Sequence, residues 1–441
     1  MKTTPAADYY RTQLANPLTK FLDLIPRGEE LRTTMNKTLP PLPDESVRAF
    51  RINERLRLNA NVGQFHLALG RDIELAEMVL DLLEVSYTAR RPTPTVVAER
   101  KKIAEEIAEL VLAGGASCNE AIGRALIGTP GSGKTRTVNR VLAQIPQIVT
   151  HDLKLHPLLL PKMVTWIRVE APANRKLSAL AANIITAIGA AVRDNFNSLK
   201  RGNISDKIQN AAMLCMEFHV GVIVIDEIQH VLRKSGEPDL ELLNFLVELS
   251  NRVNLPLLLI GTPQAEFVVA GAMRQARRMF GPPWSPLARG SPPWTKFAER
   301  LLGYQFTRQA AEVAELEPKL FELSQGLPAI AVTLYQFAQK AALLIELESG
   351  QPTKITPAIM DKAFQRYMRT VAPMLEALRS GNESEIAMYQ DLKVDAKAVK
   401  AMLVDLTDER KKHRERKLMR LTMGVAPRGK GQPHSWRSDA N

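Results

Sequence analysis

Apolar positions along the chain follow two regimes that meet near residue 120. From Ser46 to Tyr87, Val47, Phe50, Ile52, Leu56 and Leu58, then Phe65, Leu67, Leu69, Ile73, Leu75, Met78, Val79 and Leu82, recur mostly at helical spacing. This predicts two or three helices. Arg90-Arg91-Pro92-Thr93-Pro94 is a stiff break, because the residue before each proline is pushed out of the α region. A further helix over 96–112 ends at Gly114-Gly115. Residues 1–40 mix Pro, Thr and Lys with short apolar pieces such as Phe21-Leu22-Asp23-Leu24-Ile25, which fits an extended docking arm or a disordered tail equally.

Beyond residue 120 short apolar runs alternate with helical spacing, the signature of a parallel sheet covered on both faces. Strands are predicted over 121–127, 163–169, 221–225 and 255–260, with helices over 135–145, 177–192 and 240–251. After Phe306 the strands stop, and 310–324, 329–347, 356–368 and 371–379 read as helices. The fold class is therefore α/β. A mainly helical N-terminal region (1–94) precedes a parallel-sheet core (95–305), a helical lid (306–380) and a C-terminal helical segment with a basic tail (381–441).

Composition changes this picture in one place. With 45% hydrophobic and 24% charged residues over 441 positions and no repeat period, the chain reads as ordinary globular protein of two or three domains. The net charge of +12 is concentrated: between Arg410 and Asn441 there are ten lysines and arginines against two acids. A polyanionic partner or a solvated basic surface would each account for it. Cys118 and Cys215 are too few for a disulfide framework, which suits a reducing cytosol. Met1 to Asn16 lacks an apolar signal region, and no uncharged apolar run reaches 18 residues, so neither secretion nor a membrane span is expected. The histidines His151, His156, His219 and His230 have no spacing typical of metal ligands.

The chemistry centres on Gly128-Thr129-Pro130-Gly131-Ser132-Gly133-Lys134-Thr135, which fits G-x-x-x-x-G-K-[ST] between a predicted strand and a predicted helix. In such a loop glycines turn backbone N–H groups onto a phosphate, Lys134 neutralises its oxygens, and the Thr135 hydroxyl ligates Mg²⁺. The loop and the adjoining Arg136 are the candidate cofactor contacts. Val222-Ile223-Val224-Ile225-Asp226-Glu227 is a buried strand ending in two acids. Asp226 can hold the metal shell and Glu227 can polarise an attacking water, whereas a cap on the following helix is the structural alternative. Thr262, after the fourth strand, can reach a terminal phosphate or that water; its other reading is a turn residue. Arg274, Arg277 and Arg278 on a predicted helix could stabilise charge across a subunit boundary, contact DNA phosphates, or simply face solvent.

These motifs and their spacing resemble the AAA+ ATPases. Asp226-Glu227-Ile228-Gln229-His230 is similar to the DEAQ-type Walker B of the TnsC/TniB transposition regulators. Gly261-Thr262-Pro263, the Arg274–Arg278 block, Gly281, Trp284, Trp294 and Tyr304-Gln305 are also similar to the Tn7-like branch of that family, over residues 95–370 in all. The resemblance implies ATP and Mg²⁺ at Lys134, Thr135 and Asp226, catalysis through Glu227, and sensing at Thr262. One departure stands out: where many relatives carry a lid arginine just after a Gly-x-Pro turn, Gly326-Leu327-Pro328 leads into Ala329.

The implied role is a bacterial, cytoplasmic homo-oligomer, ring or helical filament, that assembles with ATP on double-stranded DNA and links a target selector to the transposase. Arg168, Asn174, Arg175 and Lys176, after the second strand, and Lys200 with Arg201 are candidate contacts to DNA phosphates; a solvated surface is the competing reading. The basic tail could bind DNA or dock a transposition protein. An AAA+ replication initiator or helicase loader, and a signalling NTPase that scaffolds proteins without DNA, are the alternatives.

Overall fold

A computed structural model describes residues 16–90, 93–114, 123–231, 240–266, 281 and 284–381. The C-terminal unit, 393–441, including the whole basic tail, lies outside the described residues, as do Arg274, Arg277 and Arg278.

Six strands form among the described residues: β1 (Gly123–Ile127), β2 (Ile148–Thr150), β3 (Lys162–Val164), β4 (Trp166–Glu170), β5 (Val222–Asp226) and β6 (Leu257–Gly261). Four of them make a parallel sheet in the order β1-β6-β5-β4. Register fixes what stands at its edge. Ile127 pairs with Gly261 and Glu170 with Asp226, so the phosphate loop, the two acids and Thr262 all leave the same carboxyl end. Trp284 adds a parallel bridge to Gly128, its N–H bonding Ile127 O at 3.0 Å.

The strand predicted over 163–169 is two strands in different sheets. Residues 162–164 pair antiparallel with β2, while 166–170 join the parallel sheet. Thr165 is the divider: its N–H bonds Gln147 O at 2.9 Å and its hydroxyl bonds Pro146 O at 2.5 Å, which ties the chain to the segment before β2. At three residues, β2 is too short to show a period.

Strand side chains alternate between the two faces, and each face has its own cover. Ala125, Ile167, Ile223, Ile225, Leu257 and Leu259 pack under α5 (Pro94–Leu112), α7 (Leu177–Val192), α8 (Ile204–Glu217) and α9 (Leu240–Val253); α6 (Lys134–Leu142) covers the other face. That second face, with Leu126, Val222, Val224, Leu258 and Ile260, also takes α4 (Gly70–Ala89) from the N-terminal region.

Residues 16–36 are neither extended nor disordered. A 3₁₀ turn (Lys20–Leu24) and α1 (Gly28–Asn36) bury Leu18, Phe21, Leu22, Leu31 and Met35 in the same core cluster as α4, and Asn16 Nδ2 bonds Tyr87 O at 2.8 Å. After them come α2 (Glu45–Arg48) and α3 (Ile52–Val62), so the 46–87 pattern yields three helices.

The C-terminal helices are α10 (Pro292–Leu302), α11 (Val313–Ser324), α12 (Pro328–Ser349), α13 (Pro357–Tyr367) and α14 (Ala372–Ser380). On length and composition α12 could cross a membrane, but 67% of its apolar window is buried in the fold, as befits a core helix. It packs on α3 through a buried pair, Arg55 with Glu346, and through Asn59 Nδ2 donating to Gln336 O at 3.0 Å. Arg55 also donates to Phe306 O at 3.0 Å, so the buried charges are fully engaged. In this way the N-terminal region touches the lid through α3 and the sheet through α4.

Candidate active site

The loop between β1 and α6 takes the turn its glycines allow: Gly131 and Gly133 sit at φ +79° and +96°, left-handed values that a side chain would resist. Lys134 opens α6. Its ammonium folds back onto the loop, donating to Gly128 O at 2.6 Å and Thr129 O at 3.0 Å. Burial pushes its pKa down to about 8, against the opposing pull of Asp226 and Glu227.

Asp226 is buried and its oxygens are shared out. Oδ2 accepts from the Thr135 hydroxyl at 3.0 Å, and Oδ1 accepts from the Glu227 N–H at 2.9 Å. This joins the candidate metal ligand of the loop to the candidate metal ligand of the strand. Glu227 adopts φ +56°, rare for a residue with a Cβ, and its carboxylate accepts from Gln229 Nε2. Thr262 is buried, and its hydroxyl has no hydrogen-bond partner among the described residues.

Arg168 is paired within the site. Its Nη2 lies 2.7 Å from Asp226 Oδ2, because β4 runs beside β5 with Arg168 opposite Val224, two residues before that acid. In the fold, the charge that this guanidinium neutralises is that of a strand neighbour. Asn174, Lys176 and Arg201 are exposed, with Arg175 and Lys200 half-buried, in the segments before α7 and before α8.

Arg136 turns away from the loop. It donates to Phe65 O at 3.1 Å and Gly63 O at 2.7 Å, holding the segment between α3 and α4. That segment walls a mainly apolar cavity of about 140 Å³ beside the loop, lined by Phe65, Leu69, Gly133, Thr137, Phe297 and Val332. The loop is braced from behind. Trp284 Nε1 and Arg71 Nη2 both donate to Ser132 O at 3.0 Å, and the Arg71 guanidinium stacks over the Trp284 ring at 4.5 Å. On the lid side Ala329 N donates to Gly131 O at 3.1 Å, so the position where a lid arginine is absent touches the loop through its backbone. Trp294 and Tyr304 are structural ties, the first to Glu317 and the second to Pro40 O.

Sequence reasoning missed Arg71 and the cavity walls, since residues from three distant segments share no motif. It gave Trp284 only as part of a resemblance.

A phosphate cradle, a Thr–Asp pair for a divalent cation, a half-buried glutamate and an apolar cavity together fit a nucleoside triphosphate with Mg²⁺. The unpartnered Thr262 hydroxyl gives that fit a specific acceptor to look for. Sheet order, loop and paired acids define a P-loop AAA+ core with helical regions before and after it. Residues 124–269 match the AAA domain family, a family of nucleotide-hydrolysing P-loop type. Among solved structures the chain is similar to the Aeropyrum pernix ORC2 protein in ADPNP and ADP complexes, at 16% identity over 70% of this chain and 85% of that one, with a TM-score of 0.37. It is similar to the Aeropyrum pernix ORC1 protein in complex with DNA at 16% identity (70% and 82% covered, TM-score 0.39). Cdc6p from Pyrobaculum aerophilum follows at 12% identity (75% and 89% covered, TM-score 0.35). No curated protein sequence matches the chain.

Replacing Arg136 by alanine is expected to loosen the 63–65 segment and weaken nucleotide affinity about tenfold, the scale of one lost charged hydrogen bond. Titration with a fluorescent ATP analogue reads this directly. Unchanged affinity would mean that the segment does not meet the nucleotide.

Proposed function

We propose that this chain is a Mg²⁺-dependent ATPase that serves as an assembly switch in DNA transposition. In this reading it oligomerises on duplex DNA as a ring or helical filament, links a target-selection protein to the transposase, and disassembles on hydrolysis. The observation that carries the ATPase part is the convergence of Lys134, Thr135, Asp226, Glu227 and Thr262 at one sheet edge. Support for the transposition part comes from the Asp226–His230 motif and the Gly261–Gln305 block.

When bound, Mg·ATP supplies the electrophilic terminal phosphate. The protein's tasks are then separable. The Gly128–Gly133 loop binds phosphate oxygens with N–H groups, and Lys134 exchanges its loop carbonyls for them. Thr135 and Asp226 hold the metal shell between them. Glu227 accepts a proton at its carboxylate from the attacking water, and Thr262 orients through its free hydroxyl. Arg277 and Arg278 are the candidates to reach a neighbouring subunit's nucleotide. Asn174, Arg175, Lys176, Lys200 and Arg201 are the candidates for DNA phosphates, in a bacterial cytoplasm.

Duplex DNA binding with ATP, with a non-hydrolysable analogue and without nucleotide, over a salt series, tests the reading. Nucleotide-dependent affinity that falls steeply with salt is expected, by about 0.9 in log–log slope per phosphate neutralised. DNA affinity indifferent to nucleotide and salt would overturn the DNA-associated role.

A further inference from the structure

The side chain of Gln229 joins two parts of the site that no backbone hydrogen bond connects. Its Nε2 donates to the Glu227 carboxylate, and its Oε1 accepts the Thr262 N–H at 3.2 Å. The amide cannot be turned round. Thr262 N is a donor and must meet the oxygen, which leaves only the nitrogen for a carboxylate that accepts. Gln229 is buried, whereas Glu227 is half-buried, so the firmer residue holds the looser one.

The surroundings fix the amide in place. Gly261 approaches it so closely that an added Cβ would lie 3.1 Å from Gln229 Oε1 and 2.5 Å from Ala265 Cβ. Glu227 is held at the backbone from both sides. Its N–H bonds Asp226 Oδ1 and its carbonyl accepts from His230 N at 2.9 Å, an arrangement that keeps the φ of +56°. What the backbone leaves undetermined is the direction of the carboxylate, and Gln229 sets that.

We infer that Gln229 is a positioning residue of the hydrolytic site, aiming the Glu227 carboxylate according to the position of the Thr262 loop. The link is mechanical. A group that engages the Thr262 hydroxyl fixes that loop, the Thr262 N–H fixes the Gln229 amide, and the amide fixes the carboxylate. No bond to nucleotide or metal is needed from Gln229 itself. The inference rests on the ATPase reading above, with Glu227 as the base.

Two variants separate positioning from packing. Gln229→Met keeps the volume and removes both polar ends; Gln229→Glu keeps an acceptor for Thr262 N but sets a like charge against Glu227. Each is expected to lower kcat for ATP hydrolysis about 10- to 100-fold, the cost of a misaimed catalytic group, while nucleotide affinity by direct titration changes less than about twofold. Combining Gln229→Met with Glu227→Gln is expected to be no slower than Glu227→Gln alone, because residues acting through one another are not additive. Normal kcat in both Gln229 variants, or multiplying effects in the double variant, would overturn the inference. So would a loss of nucleotide affinity as large as the loss of kcat, which would mark Gln229 as merely structural. Normal hydrolysis in Glu227→Gln by itself would instead overturn the reading on which it rests.

Discussion

Glu227→Gln is expected to leave ATP binding intact and slow hydrolysis by about 10²–10⁴-fold, the range a positioned general base contributes. The substitution keeps the shape of the side chain and an acceptor oxygen for Gln229, but the amide has no proton affinity to offer an attacking water. Under the proposed switch, complexes on DNA should therefore persist, because hydrolysis is the step proposed to disassemble them. Single-turnover hydrolysis with excess protein, beside dissociation from DNA after ATP addition, measures both. Normal turnover would reassign the base and remove the reason for two acids at the end of β5.

Lys134→Ala is expected to abolish nucleotide binding at ordinary concentrations, and assembly with it. A unit charge about 4 Å from a phosphate contributes about 4 kcal/mol in a partly buried site, so the loss is at least two to three orders of magnitude in affinity. Ordered oligomers of this variant on DNA would contradict the switch.

The same lysine gives a pH dependence whose sign can be worked out. Its ammonium has a pKa of about 8 in the folded protein, below the ordinary 10.5, because burial disfavours the charge. Phosphate favours the charged form, so binding above pH 8 takes up a proton, and affinity should fall as pH rises through about 8, by up to tenfold per unit. For folding, the unfolded chain binds more protons between the two values. The Lys134 contribution to stability therefore rises with pH across that window, and the cost of the buried charge is fully present below about 8. Subtracting the stability profile of Lys134→Met from that of the unaltered protein isolates the folding effect, and nucleotide titration of the unaltered protein on either side of about pH 8 reads the binding effect.

Much of the site was legible because its parts are local. The glycine spacing of 128–133 dictates a loop, and four consecutive apolar residues before Asp226-Glu227 dictate a buried strand with acids at its end. Within residues 310–380, α11, α13 and α14 kept helical spacing because each buries one stripe, whereas α12 is a core helix buried on most of its surface. Where neighbours from other elements decide a side chain's partners, the sequence carried no sign of them. Arg168 looked like a surface cation because nothing in its own segment reveals that Asp226 lies one strand away. Arg136 looked like part of the cradle because it follows Thr135, yet its side chain answers to carbonyls 71 and 73 residues earlier.

By itself, then, the sequence determined the chemistry on offer: a phosphate loop, a threonine and an aspartate suited to a metal ion, a second acid beside them, and the parallel strands that carry them. Those follow from short-range constraints, chiefly backbone freedom at glycine and the periods of burial. Only the tertiary structure decided which charges meet and what closes the pocket. Parallel pairing set Arg168 on Asp226, and the segment between α3 and α4 came to wall the cavity. The fold also brought a glutamine from one strand end and a threonine from another to bear on Glu227. Such contacts depend on strand order, which is fixed by burying the whole sheet between two helical layers and by no residue alone.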